Sequence, residues 1–318
     1  MQSRHKIIKN AIENAVGFVL DFSAWGKILR VLDAPIDAPI DKPIDKRKED
    51  PNLIQRNSMN IRPKNNNLSV IIPYSHNEIL REQNLEKTLD CVFNQKYKDF
   101  ELIVVEQLIK PYEHIIPIFQ AHKNINRIQL KDPLNRNFNK SWCINVAVKQ
   151  AKSDNILVID ADMLFGDTYF EEVLKFAQLN TQYFSGYHDI ICLPGRDNPA
   201  TRVKKYDSIQ AAGGAWFINK DFFNKVGGMN ENYFGYGGED NDMWLRVSNI
   251  LQDIKSISYP LTHQYHHWHQ QDGVNPLCED RMKILDKTRK HPMNAISLLV
   301  RSNQGNINAP TTSAWNSL

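Results

Sequence analysis

Two apolar stretches, Leu68-Ser-Val-Ile-Ile-Pro73 and Phe100-Glu-Leu-Ile-Val-Val-Glu106, decide the fold class of this sequence. Both are short and rich in β-branched residues, which is typical of strands buried on both faces of a parallel sheet. The segment between them, Glu82–Asn94, carries Leu85 and Leu89 at helical spacing. This alternation of strand, helix and strand predicts an α/β domain in which helices cover the faces of a parallel sheet.

The loop after the first strand is a candidate nucleotide site. Pro73 ends the predicted strand, and Tyr74-Ser-His-Asn-Glu78 follows it. Ligands of open α/β sheets bind beyond the carboxyl ends of the strands. A metal-dependent nucleotidyltransferase, one alternative function, would need a glycine-rich and basic phosphate loop here. This segment is neither glycine-rich nor basic.

Further along, Ile156-Leu-Val-Ile-Asp160-Ala-Asp162 is an apolar strand that runs into two acids. Acids at positions i and i+2 of an extended segment point to the same side, so both can reach one divalent ion. Their oxygen atoms suit Mn²⁺ or Mg²⁺. Such an ion would neutralise the charge that builds on a nucleoside diphosphate leaving group. Asp-x-Asp arises by chance in many proteins, but its place directly after an apolar strand favours a metal site.

The stretch Gly227–Val247 contains Tyr233-Phe-Gly-Tyr-Gly-Gly-Glu-Asp-Asn-Asp242. Glycines let the backbone take positive φ and approach a ligand closely. Acids at the start of a helix are favoured by its dipole, and there they can act as a base or bind hydroxyl groups. A glycine-rich turn capped by acids is the simpler interpretation. The concentration of glycine, aromatic and acidic residues together favours a sugar site instead.

The segment Phe234-Gly-Tyr-Gly-Gly-Glu-Asp-Asn-Asp242 resembles the C-terminal signature of the β-1,4-galactosyltransferases and their bacterial relatives of the chondroitin-polymerase type, Trp-Gly-Trp-Gly-Gly-Glu-Asp-Asp-Asp. Here Phe234 and Tyr236 stand at the tryptophan positions and Asn241 at the middle aspartate. The resemblance implies a GT-A fold, with a parallel-centred mixed sheet flanked by helices. It also implies a metal-dependent enzyme that moves a hexose or N-acetylhexosamine, galactose or N-acetylgalactosamine by preference, from a UDP-sugar to a hydroxyl of a glycan acceptor.

The resemblance assigns catalytic roles to the acids of this segment. Asp240 is the expected general base, while Glu239 and Asp242 orient hydroxyl groups or cap the helix. Direct displacement would invert the anomeric centre, but related GT-A enzymes retain it, so the stereochemistry stays open. The residues expected to bind substrate are Tyr236, Gly238, Asn241 and Asp242. A non-catalytic sugar-binding protein, the other alternative, would keep the aromatic residues without needing Asp240.

Around the nucleotide, Phe138-Asn-Lys140 and Asn145 resemble the family pattern Phe-Asn-Arg-x-x-x-x-Asn, in which the aromatic and the basic residue contact the nucleotide. Lys140 keeps the charge of the arginine without its bidentate fork. Phe138 alone would be a core ring more often than a ligand contact. The residues that the resemblance places at the nucleotide or donor are Pro73, Tyr74, Glu106, Phe138, Lys140, Asp160 and Gly214.

The resemblance also places the two acids of the apolar strand in the family's metal-binding motif. Asp162 is the expected ligand, and Asp160 contacts either the ion or the ribose. Ala211–Lys220 resembles the small-residue strand beside the donor sugar, where Gly213 and Gly214 permit close approach of a ligand.

Three histidines lie within Gln264-Tyr-His-His-Trp-His-Gln-Gln-Asp272. A separate zinc site would want cysteine partners, and none lie nearby. In the family, a histidine after the acidic helix completes the metal shell and is followed by His-x-x-Asp and Asn-Pro. His269, with Asp272 and Asn275-Pro276, fits best, and His266 is the second choice. The alternative for each is an ordinary loop histidine.

Composition divides the chain into four parts. Residues 1–32 have apolar positions at helical spacing with basic flanks, which predicts a helical extension that packs on the enzyme or a partner, or lies on a membrane surface. Residues 33–67 hold a Pro-Ile-Asp tandem repeat and read as a linker. Residues 68–300 form the predicted glycosyltransferase domain and end in one or two helices. Residues 301–318 are polar and predicted to be a loose tail.

The totals exclude some function classes. The chain has 318 residues and a net charge of +3, which gives no basic field for nucleic acid. Its 4 cysteines are widely spaced and predict free thiols in a reducing compartment. It contains neither an apolar run of about 18 residues nor a signal-peptide pattern. We therefore expect a cytoplasmic enzyme of bacterial or viral type, with peripheral membrane contact as the alternative.

Overall fold

A computed structural model describes the chain between residues 67 and 312. Its gaps are residues 76–78, 110–118, 120–123, 180–181, 188, 194–200, 205–211, 236, 252–253, 257–263, 267–277 and 303. All described residues belong to one compact unit, Pro63–Leu318. The predicted N-terminal helix and nearly all of the predicted linker lie outside the described residues.

The described residues form eleven strands and seven helices. The strands are β1 (Leu68–Tyr74), β2 (Phe100–Leu108), β3 (Ile125–Lys131), β4 (Asn155–Ile159), β5 (Met163–Leu164), β6 (Tyr183–Ser185), β7 (Asp189–Cys192), β8 (Thr201–Lys204), β9 (Ala215–Asn219), β10 (Lys255–Ser256) and β11 (Gln264–His266). The helices are α1 (Ile79–Phe93), α2 (Lys140–Gln150), α3 (Tyr169–Ala177), α4 (Lys220–Lys225), α5 (Glu239–Ile250), α6 (Cys278–Lys290) and α7 (Pro292–Arg301).

Seven strands form the main sheet, in the order β10-β6-β9-β4-β1-β2-β3. The neighbours from β4 to β3 are parallel, whereas β9 runs antiparallel to both β4 and β6. One apolar core, which includes residues of α1 and α3, lies on one face of the sheet. A second core, on the other face, includes residues of α2, α4 and α5. The predicted parallel-centred mixed sheet flanked by helices is confirmed.

Strand β1 differs from the prediction at its carboxyl end. Pro73 does not end the strand, because β1 continues to Tyr74 and pairs there with Glu106 of β2. The neighbour on the other side, β4, pairs with β1 only from Ser69 to Ile71. Pro73 therefore lies where the strand has one neighbour, and a residue without an N–H is tolerated there.

A smaller sheet, in the order β5-β11-β7-β8, lies beyond the acids that follow β4. Strand β11 runs antiparallel to β5, which pairs His266 with Met163. The backbone of His266 is thereby opposite the residue that follows Asp162. His269 lies outside the described residues.

The C-terminal segment 304–312 is held in place by Glu231, a fully buried residue. The Glu231 carboxylate accepts hydrogen bonds from the backbone N–H of Gly305 at 2.6 Å and of Thr311 at 2.5 Å. The prediction of a loose tail over 301–318 is therefore wrong for this segment. Its polar composition suggested a solvated end, but backbone N–H groups bonded to a buried acid fix it. One or two closing helices were predicted before residue 300, and the structure has two, α6 and α7.

Candidate active site

The centre of the site is the ammonium group of Lys140. Helix α2 begins at this residue because Asn139 caps it, its side chain accepting a hydrogen bond from the N–H of Trp142 at 2.9 Å. Lys140 Nζ lies 2.7 Å from Asp160 Oδ1 and 2.8 Å from Asp240 Oδ2. One cation thus joins the acid at the end of β4 to an acid in the first turn of α5.

Asp160 is held by the backbone of Gly214. Its N–H donates to the Gly214 carbonyl at 2.7 Å, and its Oδ2 accepts from the Gly214 N–H at 3.1 Å. Gly214 has φ +89°, which glycine adopts more readily than other residues. The segment from Asp160 to Asp162 is not extended as predicted, since Met163 N–H donates to Asp160 O at 3.3 Å and closes a turn. The prediction that an extended backbone points both acids to one side is therefore wrong.

Gly213, held by Tyr187, lies next to the carboxylates of Asp160 and Asp240. A Cβ atom on Gly213 would lie 2.5 Å from Asp240 Oδ2 and 3.7 Å from Asp160 Oδ2. The Tyr187 hydroxyl donates to the Gly213 carbonyl at 2.6 Å and holds the segment that leads into β9. Sequence reasoning expected the glycine to admit a ligand, but it admits Asp240. Tyr187 was missed, since a single tyrosine 26 positions away carries no motif.

Helix α5 starts in the predicted place, with acids in its first turn. Gly238 precedes it with φ +99°, and a Cβ atom there would lie 2.8 Å from the Tyr233 ring. Glu239 is buried, and its burial together with the neighbouring Asp240 raises its pKa to about 7. Glu239 Oε2 and Asp240 Oδ1 are buried and accept no hydrogen bond from the described residues. These two oxygens are therefore unsatisfied, and they gain a hydrogen-bond donor only if their side chains move or a ligand enters the buried space.

The charges of the site are unbalanced. Burial alone would lower the pKa of Lys140, but Asp160 and Asp240 outweigh it and hold the pKa well above its ordinary value. Burial also raises the pKa of Asp160, with Lys140 acting against it and Asp240 with it. Without counting Glu239, the carboxylates of Asp160, Asp162 and Asp240 outnumber this ammonium. A divalent cation with oxygen ligands fits that excess of negative charge.

The donor set for such an ion is incomplete in the part of the chain that the structure describes. Asp160 and Asp162 offer carboxylate oxygens, and both side chains are partly exposed. No group of three or more histidine, cysteine, aspartate or glutamate residues within the described ranges has metal-binding geometry. The predicted third ligand, His269, is outside those ranges.

Asp242 does not face the site. It is fully buried, and its Oδ2 lies 2.9 Å from Nε and 2.8 Å from an Nη atom of Arg246. Its Oδ1 accepts from the hydroxyl of Thr288 at 2.5 Å. Arg246 in turn donates to the carbonyl groups of Val226 and Gly228. The prediction that Asp242 contacts sugar hydroxyls is therefore wrong, because its carboxylate joins α5 to α6 within the protein.

Of the predicted nucleotide residues, Pro73 and Tyr74 are buried away from any ligand, whereas Glu106 and Phe138 lie near the carboxyl end of β2 and the start of α2. Tyr74 is only 2% exposed and lies in the core that packs under α1, so it offers no surface to a nucleotide. Pro73 is also buried, within β1. Glu106 is buried at the end of β2, where its Oε2 accepts from Arg127 at 3.1 Å. Its Oε1 is buried and accepts nothing from the described residues. Phe138 packs partly against the core beside α2.

The loop before α5 is tied to the loop before α2. The guanidinium of Arg136 lies 4.3 Å from the centre of the Phe234 ring, and the N–H of Gly235 donates to Phe138 O at 2.7 Å. Phe234 therefore already carries a cation on its ring face. Asn241, a predicted substrate contact, is partly exposed on α5. Tyr236 is outside the described residues.

Two family models match the chain. Residues 69–223 match "Glycosyl transferase family 2", and residues 200–270 match the model described as "N-terminal domain of galactosyltransferase". Together they span Asp160 and Asp240, the two carboxylates that pair with Lys140. These three side chains form the Lys140 bridge. Within the described residues, no helix is long and apolar enough to cross a membrane.

Curated relatives agree with these matches. Human β-1,4-galactosyltransferase 4 is 26% identical over 186 residues, which is 56% of this chain and 49% of the relative. Chondroitin synthase from Pasteurella multocida (strain Pm70) is 25% identical over 241 residues, 61% of this chain and 24% of the relative. The chain thus spans about half the length of the human relative. Its sequence is similar to glycosyltransferases of the β-1,4-galactosyltransferase and chondroitin-polymerase type, and its mixed sheet flanked by helices is consistent with a GT-A fold.

Proposed function

We propose that this glycosyltransferase is metal-dependent and moves a hexose or N-acetylhexosamine from a UDP-sugar to a hydroxyl group of a glycan acceptor. The observation that carries the proposal is the Lys140 bridge, which brings Asp160 and Asp240 to one ammonium group. These are an acid of the expected metal motif and the expected general base. The names of the relatives favour galactose, and the sequence signature adds N-acetylgalactosamine.

In the proposed reaction, the acceptor oxygen attacks the anomeric carbon of the donor sugar. The bond from that carbon to the diphosphate oxygen breaks, and UDP leaves with the electron pair of the bond. Asp240 takes the proton of the acceptor hydroxyl, a role that requires hydrogen-bond reach of that hydroxyl. A single displacement of this kind inverts the anomeric centre, so an α-linked donor gives a β-linked product.

Asp160 and Asp162 would hold Mn²⁺ or Mg²⁺, with His269 as the proposed third ligand. The ion, when bound, supplies positive charge to the leaving diphosphate. The excess of carboxylates over the Lys140 ammonium supports this assignment. His266, whose backbone pairs with Met163, is the second candidate for the third ligand.

The nucleotide would lie at the carboxyl ends of β1 and β2, next to the bridge. Glu106 supports this placement, because its buried Oε1 accepts no hydrogen bond from the described residues. An N–H group of the uracil ring would satisfy that oxygen. Lys140 would contact the phosphate groups of the nucleotide, and Phe138 would contact its base.

The experiment is a panel of UDP-sugars incubated with purified protein, Mn²⁺ and candidate glycans, with released UDP as the readout. Release from one sugar that requires Mn²⁺ and is lost in Asp162→Ala would support the proposal and name the donor. Failure to release UDP from any sugar, combined with Mn²⁺-dependent binding of UDP, would instead indicate a sugar-nucleotide-binding protein.

A further inference from the structure

In the Lys140 bridge, Lys140 and Asp240 pair with each other. The proposed reaction needs Lys140 at the donor phosphates and Asp240 at the acceptor hydroxyl. The side chains of Lys140 and Asp240 are 10% and 13% exposed, so the pair is largely shielded from water. Among the described residues, Lys140 is the one cation that pairs with Asp160 or Asp240. An ammonium has three N–H donors, and two of them are used on these carboxylates.

Asp240 is not available to an acceptor in this arrangement. Its Oδ2 accepts from Lys140 at 2.8 Å and lies against the backbone of Gly213. Its Oδ1 is buried and has no hydrogen-bond donor among the described residues. A general base must lie within hydrogen-bond distance of the hydroxyl that it deprotonates. The Asp240 side chain therefore has to move before the acceptor can react.

We propose that Lys140 is a positioning residue for which Asp240 and the donor diphosphate compete. Without donor, Lys140 holds Asp240 in the shielded position that the structure records. When donor binds, its phosphate oxygens take the ammonium, and Asp240 is released toward the acceptor. This inference rests on the proposed function, and it adds that the base becomes available only after the nucleotide has bound.

The charges and chemistry favour this exchange. Lys140 and its two carboxylate partners carry a net negative charge, so the ammonium does not neutralise the cluster on its own. Phosphate oxygens are strong acceptors for lysine. A bound metal ion would share the Asp160 carboxylate, and this would weaken the ion pair between Asp160 and Lys140. Release of Asp240 would also remove the cost of leaving its Oδ1 buried without a donor.

Competition of this kind predicts that loss of the Asp240 charge tightens nucleotide binding. The measurement is the affinity of UDP in the presence of Mn²⁺, by isothermal titration calorimetry, for wild type and Asp240→Asn. The variant should bind UDP at least about fivefold more tightly, the lower end of ordinary coupling between sites. Asp90→Asn is the control, since it removes an exposed acid on α1, outside the site. Its affinity should stay within about twofold of wild type.

A double-mutant cycle separates competition from general electrostatics. In a Lys140→Met background, Asp240→Asn should no longer tighten UDP binding, because the contested ammonium is gone. Lys140→Gln replaces Lys140→Met if the latter does not fold. An equal effect of Asp240→Asn in both backgrounds, or equal effects of Asp240→Asn and Asp90→Asn, would overturn the inference alone. Failure of wild type to bind UDP with Mn²⁺ would overturn the proposed function together with it.

Discussion

The backbone of Gly213 lies against the carboxylate of Asp240, so closely that a Cβ atom at position 213 would be 2.5 Å from Oδ2. The same atom would lie 3.7 Å from Asp160 Oδ2. Glycine at this position therefore leaves room for the base and for the Lys140 bridge. Any larger residue has to displace one of them.

Gly213→Ala should lower kcat by about 100-fold, since displacement of a reacting group by about 1 Å costs roughly that much. Steady-state kinetics with the donor identified in the UDP-sugar panel would measure it. Circular dichroism would verify that the variant is folded. A folded Gly213→Ala enzyme with wild-type kcat would show that the fit of Asp240 against Gly213 does not matter for the reaction.

Glu239→Gln should change how stability depends on pH. The pKa of Glu239 is raised from 4.5 to about 7, chiefly by burial, so the folded protein holds its proton to higher pH than the unfolded chain does. The stability that this proton gives is present below about pH 4.5 and is lost as pH rises toward 7. Above pH 7 the charged group lowers the free energy of unfolding by up to about 3 kcal/mol.

Urea denaturation at a series of pH values would measure the effect. Glu239→Gln should match wild type near pH 4.5 and exceed it in unfolding free energy at pH 8. Asp90→Asn, which changes an exposed acid on α1, is the control and should show no such trend. A stability difference that does not vary with pH would show that the fold does not retain the Glu239 proton.

Asp242→Asn tests whether this acid is structural. The Asp242–Arg246 pair is fully buried, and removal of one partner of a buried pair costs about 3–5 kcal/mol. We expect that loss in unfolding free energy by denaturant titration, with UDP affinity unchanged in the folded fraction. Asp280→Asn is the matched control, because the exposed Asp280–Lys283 pair contributes less than about 1 kcal/mol. Wild-type stability with impaired acceptor binding would restore Asp242 as a substrate contact.

Glu231→Ala should release the C-terminal segment. It removes the acceptor of Asn145 Nδ2 and of the Gly305 N–H in buried hydrogen bonds, and that of the Thr311 N–H in a partly buried one. We expect a loss of about 3 kcal/mol, at the upper end of the range for an unsatisfied buried group. Removal of residues 304–318 should cost a similar amount, and the combined change should be much less than additive. Additive losses would show that Glu231 and the segment act independently.

Local sequence patterns predicted the elements well where one segment decides its own structure. The apolar runs of β1 and β2 and the acidic start of α5 all formed as expected. The turn at Asp160–Asp162 did not, because period-2 alternation assumes an extended backbone. A hydrogen bond between Met163 and Asp160 curls it instead.

The site required contacts that local patterns do not contain. Lys140 and Asp240 are 100 positions apart, and only the sheet topology brings them together. Asp242 looked equivalent to its neighbours in a row of acids. The presence of Arg246 four positions later could have distinguished Asp242 from its neighbours, because this spacing favours an ion pair along one face of a helix. The C-terminal segment gave no signal at all, since its partner Glu231 precedes it by 73 or more positions.

The most direct test of the account compares sugar transfer by wild type and Asp240→Asn in the presence of Mn²⁺. With the donor and acceptor identified in the panel, kcat of the variant should fall by about 10² to 10⁴, the contribution of a positioned general base. UDP affinity should improve in the same variant, by at least about fivefold. An Asp240→Asn enzyme that transfers sugar at the wild-type rate would contradict the central claim that this carboxylate accepts the proton.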